Sequence, residues 1–349
     1  MSARRGLLGV VVAAVTCAVV PSAPAAARTD IGVQDDPVFV FQSYGPPGGR
    51  DAAFADARAL GGRWLRINII WSDYVRRGFA PYDGAVNAAR ARGFATQITI
   101  SGTPSYDSRG DQRLSWKRAS QSRFAAFART VAQHFRGRVF RYSLWNEPNL
   151  DLFLSPQRSA PSMYKSLYSA GYAALKRTDP RAKVLFGELF SGNVHAPSGR
   201  GPLAFLNAMS GRLRADGLAY HPFQYADGPR QRSRRYVALA SMSSIKSTLR
   251  ALSRRRVLRT WSGGTLPIYF TEFGYQITGS YRIRSESRRA SWTVEAFRMA
   301  KRGGAKSMLY YHLVRNYGGR WDGGILNAGG FRTPVFNALV GARRSLIGR

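Results

Sequence analysis

Arg141-Tyr142-Ser143-Leu144-Trp145-Asn146-Glu147-Pro148-Asn149 reads as a strand that runs into a proline. With Val139 and Phe140 before it, the stretch is apolar enough to be buried, and it breaks at Asn-Glu-Pro-Asn. Proline lacks a backbone donor and pushes the residue before it toward extended backbone, so the strand is predicted to end at Glu147. A carboxylate then stands at a strand tip with an amide beside it. Glutamates are scarce: Glu147, Glu188, Glu272, Glu286 and Glu295 are all there are, and the first three end strand-like runs.

Outward from this stretch, apolar runs alternate with helix-like runs. Strands are predicted at 37–42, 64–71, 94–100, 138–145, 183–188, 217–221, 268–272 and 307–312. Helices are predicted at 51–60, 82–92, 120–135, 161–176, 202–212, 236–252, 286–301 and 334–346. Phe124, Phe127, Val131 and Phe135 recur at helical spacing, and Pro334 suits a first helical turn. Eight strand–helix units predict a closed parallel (β/α)8 TIM barrel, a single α/β domain over 37–346. The strands read as apolar on both faces, as strands buried in a parallel sheet should be. The alternative is an open doubly wound sheet, which would carry a G-x-G-x-x-G turn; none is present.

Residues 1–27 read as a signal peptide, with Arg4 and Arg5, an apolar core from Leu7 to Val20, and Ala25-Ala26-Ala27 at the cleavage site. The apolar run is too short, and too soon followed by Pro21 and Pro24, to span a membrane. Residues 28–36 read as a short acidic leader. Cleavage leaves 349 − 27 = 322 residues and removes Cys17, the only cysteine. The expected product is a secreted, extracellular monomer stabilised by its core rather than by disulfides. The formal charge of +34 becomes +32 without Arg4 and Arg5. That balance favours polyanions, but no basic tract is long enough to serve as a dedicated nucleic-acid arm.

Active residues of a (β/α)8 barrel come from strand C-terminal ends. This selects Arg66, Asn68 and Trp71; Thr103, Pro104 and Tyr106; Asn146 and Glu147; Glu188; His221; Glu272 and Tyr275; and His312. Two glutamates across one barrel mouth suit a glycosidic bond, one protonating the leaving oxygen while the other attacks carbon or activates water. Other chemistries lack their residues: there is no His-Glu-x-x-His, cysteine cluster, G-x-S-x-G elbow or phosphate loop. Four scattered histidines predict no metal site, and no cofactor is expected.

Trp145-Asn146-Glu147-Pro148, with Thr271-Glu272-Phe273-Gly274-Tyr275, resembles the clan of retaining glycoside hydrolases whose two glutamates end strands 4 and 7. Within it the chain is most similar to glycoside hydrolase families 39 and 5, the xylosidase-like and cellulase-like groups. Leu65-Arg66-Ile67 with Trp71, Gly102-Thr103-Pro104-Ser105-Tyr106, Gly324-Ile325-Leu326 and the final helix from Pro334 extend the likeness over most of 37–346. The resemblance implies Glu147 as acid/base, Glu272 as nucleophile, Asn146 on the sugar 2-hydroxyl and Arg66 orienting the nucleophile. It also implies a site histidine at His221.

The chain departs from the pattern in three places. His221-Pro222-Phe223 stands where the family has His-x-Tyr, so that hydroxyl is missing or comes from Tyr225. Strand 8 ends in Tyr310-Tyr311-His312 rather than a tryptophan, leaving Trp321 to supply the platform. The histidine that family 5 carries after strand 3 is lacking. Trp71, Tyr106, Trp145, Tyr275, Tyr311 and Trp321 are candidate stacking walls, and His312 a further substrate contact.

The expected function is retaining hydrolysis of an oligo- or polysaccharide, anionic polymers among the candidates. The alternatives are a non-catalytic barrel that binds a polyanionic polysaccharide, and a transglycosidase. Glu188 reads either as a substrate contact or as the partner of a nearby arginine.

Overall fold

The computed structural model describes residues 29–104, 120–193, 198–225, 227–278, 282–315 and 321–347. Residues 1–27, read as a signal peptide, lie outside them, as does Tyr106. Eight parallel strands close a barrel: β1 (Asp30–Gln34), β2 (Trp64–Ile70), β3 (Ala95–Ser101), β4 (Arg141–Leu144), β5 (Lys183–Phe190), β6 (Gly217–His221), β7 (Ile268–Phe273) and β8 (Ser307–Tyr311). Closure is made by β1, which pairs with β8 (Gln34 opposite Tyr311) and with β2 (Gln34 opposite Arg66).

The outer helices are α1 (Gly49–Ala59), α2 (Trp71–Arg77), α3 (Ala80–Ala91), α4 (Gln121–Phe135), α5 (Ala160–Thr178), α6 (Pro202–Asn207), α7 (Met242–Arg254), α8 (Glu286–Arg302) and α9 (Pro334–Ile347). Their starts follow local chemistry. Ser120 accepts from the Arg123 amide and Ser285 from the Arg288 amide, each satisfying a donor that the first helical turn leaves open. The predicted stripe of α4 is buried, with Phe124, Phe127, Val131 and Phe135 all in the core. A two-residue strand pair, Leu213–Arg214 with Leu258–Arg259, lies outside the barrel. Among the described residues no helix is long and apolar enough to cross a membrane.

Two expectations need correction. The first strand is Asp30–Gln34, inside the stretch read as a leader, while Pro37–Phe41, predicted as that strand, is a short π-type helix. Its three acids are tied into the fold rather than solvated. Asp30 faces Arg141 at 3.7 Å, Asp35 accepts from the Val314 amide at 3.0 Å, and Asp36 accepts from the Asn68 amide at 2.9 Å. Desolvation pushes Asp35 up to about 7 and Asp36 up to about 6.

The second correction concerns patterning. Strands β2, β3 and β4 alternate: Leu65, Ile67, Ile69, Ile98, Ile100, Tyr142 and Leu144 join the core packed beneath the helices. Arg66, Gln97, Thr99, Arg141 and Ser143 instead fill the barrel's inside. This interior is layered. Toward the strand starts Arg141 lies 3.4 Å over the Trp64 ring and 5.1 Å from that of Tyr269, and burial pulls its guanidinium down to about 10. Leu185, Ala219 and Tyr269 form an apolar middle layer. Above them the interior turns ionic.

Candidate active site

The ionic layer is assembled by strand ends that only barrel closure brings together. Glu188 sits within β5 at a register shift between Gly187 and Leu189, where Gly187 has φ 111° and Glu188 φ 52°. A Cβ on Gly187 would lie 2.7 Å from the Ala219 carbonyl, so both its φ and its neighbour demand glycine. The bulge turns Glu188 inward, where it is fully buried. There it accepts from Gln97 Nε2 at 3.0 Å, Thr99 Oγ1 at 3.2 Å and Thr271 Oγ1, and faces Arg66 Nη2 at 3.4 Å.

Glu147 and Trp145 both have left-handed backbone, φ 39° and 74°. Strain of this kind costs on the order of 1–3 kcal/mol per residue and persists only where its surroundings impose it. Here Trp145 is fully buried, with Nε1 donating to the Phe153 carbonyl at 3.0 Å, and the Glu147 amide donates to the Glu188 carbonyl at 3.0 Å. The distortion delivers Glu147 to the mouth. Glu272, near the end of β7, faces it across a cavity of about 380 Å³, and one oxygen of each carboxylate lies within 4.8 Å of the other.

Arg66 and His221 stand beneath this pair, both fully buried. Arg66 uses its whole fork: Nε to Thr99 Oγ1 at 3.0 Å, Nη2 to Asn146 Oδ1 at 3.1 Å, and Nη1 to Gln34 and to Glu272 Oε1. Because the Asn146 oxygen is taken by Arg66, its amide nitrogen is left for a ligand. His221 bridges two acids, Nδ1 to Glu147 Oε1 at 2.8 Å and Nε2 to Glu188 Oε2 at 2.6 Å. Burial alone would lower the imidazole, but Glu272, Glu147 and Glu188 outweigh it and raise it to about 10.

Burial raises Glu147, only partly offset by its His221 hydrogen bond. Glu188 is held well below the usual range because Arg66 and His221 overcome its desolvation. Arg66 and His221 thus both face Glu188 and Glu272, and Glu147 is the carboxyl whose proton burial holds more tightly than usual.

Glu147, His221 and Glu272 are close enough to be considered as metal ligands. An imidazole whose two nitrogens both donate to carboxylates has no lone pair to give, and the Arg66 guanidinium already occupies Glu272. Their chemistry is that of a proton and charge network.

The expected residues divide into three groups. Asn68, Asn146, Glu147, Glu272, Tyr311 and Trp321 line the cavity, with the Tyr311 and Trp321 rings 5.0 Å apart. The Trp321 ring fits because Gly323 lacks a side chain; a Cβ there would fall 2.2 Å from it. Arg66, Glu188 and His221 form its buried support, and Glu188 pairs with Arg66. Trp71, Tyr275 and His312 are not among the lining residues. Trp71 stacks on Phe127 at 4.8 Å, and Tyr275 is fully buried against Trp292 and Phe273. His312 is covered by Tyr311, and burial lowers it to about 3.

Tyr225, which follows the Phe223 that replaces a tyrosine, does line the cavity. Ser101, Leu150, Leu152, Phe153 and Phe190 line it as well, and were not anticipated. Ile70 lines it too; Ile70, Ser101 and Phe190 carried a signal in their positions at the ends of β2, β3 and β5.

The His221 geometry makes stability pH-dependent. A group whose folded pKa is raised from 6.5 to about 10 contributes stability that is complete below about pH 6.5 and is lost as pH rises toward 10. The thermal midpoint of the wild type is therefore expected to fall between pH 7 and 10 more steeply than that of His221→Gln. Parallel curves by circular dichroism would show that His221 is not held as a cation.

The class of fold is the closed parallel (β/α)8 barrel. No family model and no curated protein matches the sequence. Among solved structures, a family 39 glycoside hydrolase from the gut symbiont Bacteroides cellulosilyticus WH2 superposes with a TM-score of 0.68 at 19% identity, covering 95% of this chain and 66% of that one. A glucosidase from Croceicoccus marinus gives 0.63 at 16%, covering 92% and 68%. The family 1 β-glucosidase of Thermotoga maritima gives 0.59 at 12%, covering 93% and 98%. The chain spans just under two thirds of the family 39 enzyme's length. At such identities the likeness establishes the barrel; chemistry has to be argued from the site.

Proposed function

We propose that the protein is a glycoside hydrolase that cleaves O-glycosidic bonds with retention, through two displacements. The observation that carries this is the approach of Glu147 and Glu272 to within 4.8 Å across the cavity. Carboxyl groups separated by about 5–5.5 Å suit direct attack on the anomeric carbon, whereas about 6.5–9.5 Å leaves room for a water.

In the first step a Glu272 oxygen forms a bond to the anomeric carbon while the glycosidic bond breaks. Glu147 gives its proton to the departing oxygen. His221 Nδ1–H donates to Glu147 Oε1, which leaves the other oxygen, bearing the acid proton, for the leaving group. In the second step Glu147, now a carboxylate, takes a proton from water. The resulting oxygen attacks the anomeric carbon and releases Glu272. Asn146 offers its amide N–H to the hydroxyl beside the reacting carbon, and Tyr311 and Trp321 offer faces for stacking. No step calls for a metal or cofactor. Secretion, with residues 1–27 removed, belongs to the same reading and rests on the signal-like sequence of those residues.

Proton NMR of the first sugar released tests the stereochemistry. An initial anomer matching the substrate, followed by slow mutarotation, is expected; the opposite anomer would mean a single displacement by water and would overturn the nucleophile assignment.

A further inference from the structure

The catalytic cavity does not end at its aromatic wall. A second cavity, of about 410 Å³, is lined by Phe190, Gly192, Asn193, Tyr225, Arg234, Arg235 and Tyr236, and so shares Phe190 and Tyr225 with the first. Each is in the size range of small-ligand sites. A chain of aromatic rings runs along the wall between them, its middle ring, Phe223, buried behind Tyr225 and open to neither cavity. Trp321 lies 5.4 Å from Phe223, Phe223 stacks on Tyr225 at 6.1 Å and 10°, and Tyr225 meets Tyr236 edge-on at 5.5 Å.

The far end of this track is basic and fixed. Asn193 holds both arginine carbonyls, its amide on Arg235 at 2.7 Å and Nδ2 on Arg234 at 3.1 Å, and Gly192 bridges Tyr236. Neither guanidinium makes an ion pair among the described residues, whereas Arg230 nearby is already paired with Glu295 at 2.9 Å. Positive charge is general on this chain. Two exposed arginines on a pinned loop at the end of an aromatic track are a more specific arrangement. Aromatic faces bind sugar rings in any chemistry, but a planar guanidinium fork favours a carboxylate.

We infer that the Tyr236–Arg234–Arg235 cavity is a second sugar subsite, selecting glycans that carry a uronate one unit or more away from the cleaved bond. The proposal rests on the glycosidase reading of the adjoining cavity and names its substrate class: acidic oligo- or polysaccharide rather than neutral glucan or xylan. The catalytic pair attacks the bond, and the adjoining cavity recognises what is attached to it.

The test is calorimetric titration of tetragalacturonate, with xylotetraose as neutral probe, into the full chain carrying Glu272→Gln. Arg234→Ser/Arg235→Ser on that background is expected to weaken tetragalacturonate by at least ~10-fold, the scale of a lost charge-assisted pair, with circular dichroism reporting the fold. Arg254→Ser/Arg255→Ser, which removes two exposed arginines at the end of α7, is the charge-matched control and is expected to stay within about twofold. Equal losses in both pairs would mean diffuse attraction to a basic surface and would overturn the subsite. So would xylotetraose binding as tightly as tetragalacturonate. The two readings fail separately: tetragalacturonate binding without turnover of any glycoside by the wild type removes the catalytic assignment, and turnover without Arg234/Arg235-dependent binding removes the subsite.

Discussion

Glu272→Gln is expected to lower kcat/KM by at least about 10⁴-fold on every substrate, because no other group can form the glycosyl intermediate. The change is nearly isosteric, and the amide oxygen can still accept from Arg66, which now contacts Oε1. The fold should therefore survive, and the loss should appear in kcat rather than in KM. Glu147→Ala should behave differently. With a dinitrophenyl glycoside, whose leaving group needs no proton, the first step proceeds and the second stalls, so a burst of phenol precedes a slow steady state. Azide, small enough for the vacated space and needing no base, should restore turnover and yield a glycosyl azide of retained configuration. Full activity in Glu272→Gln would remove the proposed chemistry altogether. Absence of both burst and azide rescue in Glu147→Ala would remove the acid/base assignment while leaving the nucleophile in place.

Those two glutamates were legible because local chemistry marks them. Pro148 marks the break beside Glu147, although β4 already stops at Leu144 and Glu147 takes left-handed rather than the expected extended backbone. Thr-Glu-Phe-Gly closes the seventh run at Glu272. The eight-unit rhythm was legible too, since β2 to β8 each fall on a predicted run of strand length between helical stripes. What failed were inferences from charge. Asp30, Asp35 and Asp36 suggested solvent, yet the first of them opens β1 and the others are bound by backbone amides and side chains of neighbouring elements. The polar inside of β2–β4 was misread as apolar: Arg66 was expected beside Glu272 only through the family resemblance, and Arg141 finds its partners, Trp64 and Tyr269, only when the barrel closes. Arg66 and Glu272 are 206 positions apart, and nothing local announces their contact. Trp71 and Tyr275 show the converse: aromatics at strand ends whose rings are used for packing.

Glu188→Gln is expected to cost about 10²–10³-fold in kcat/KM although Glu188 is fully buried and is not among the residues lining the catalytic cavity, a loss on the scale of general acid catalysis. The effect passes through His221. With Glu188 charged, the imidazole keeps protons on both nitrogens, and Nδ1–H is fixed as a donor to Glu147. Glutamine can still accept from Nε2, but it removes the nearest anion, so His221 falls toward neutrality. Nδ1 then carries a lone pair at 2.8 Å from Glu147 Oε1, and it draws the acid proton away from the cavity.

Glu188 is in this sense a positioning residue, and leaving-group dependence separates that role from a merely structural one. A dinitrophenyl glycoside should be turned over at close to the wild-type rate in its first step, while substrates with alkyl or sugar leaving groups lose the full factor. Glu188→Asp, which retains the charge, should recover part of the loss if its shorter side chain reaches His221. Equal losses for good and poor leaving groups would point to a distorted site instead. The same substitution should also flatten the pH dependence of stability attributed to His221, since both effects require an imidazolium held between Glu147 and Glu188.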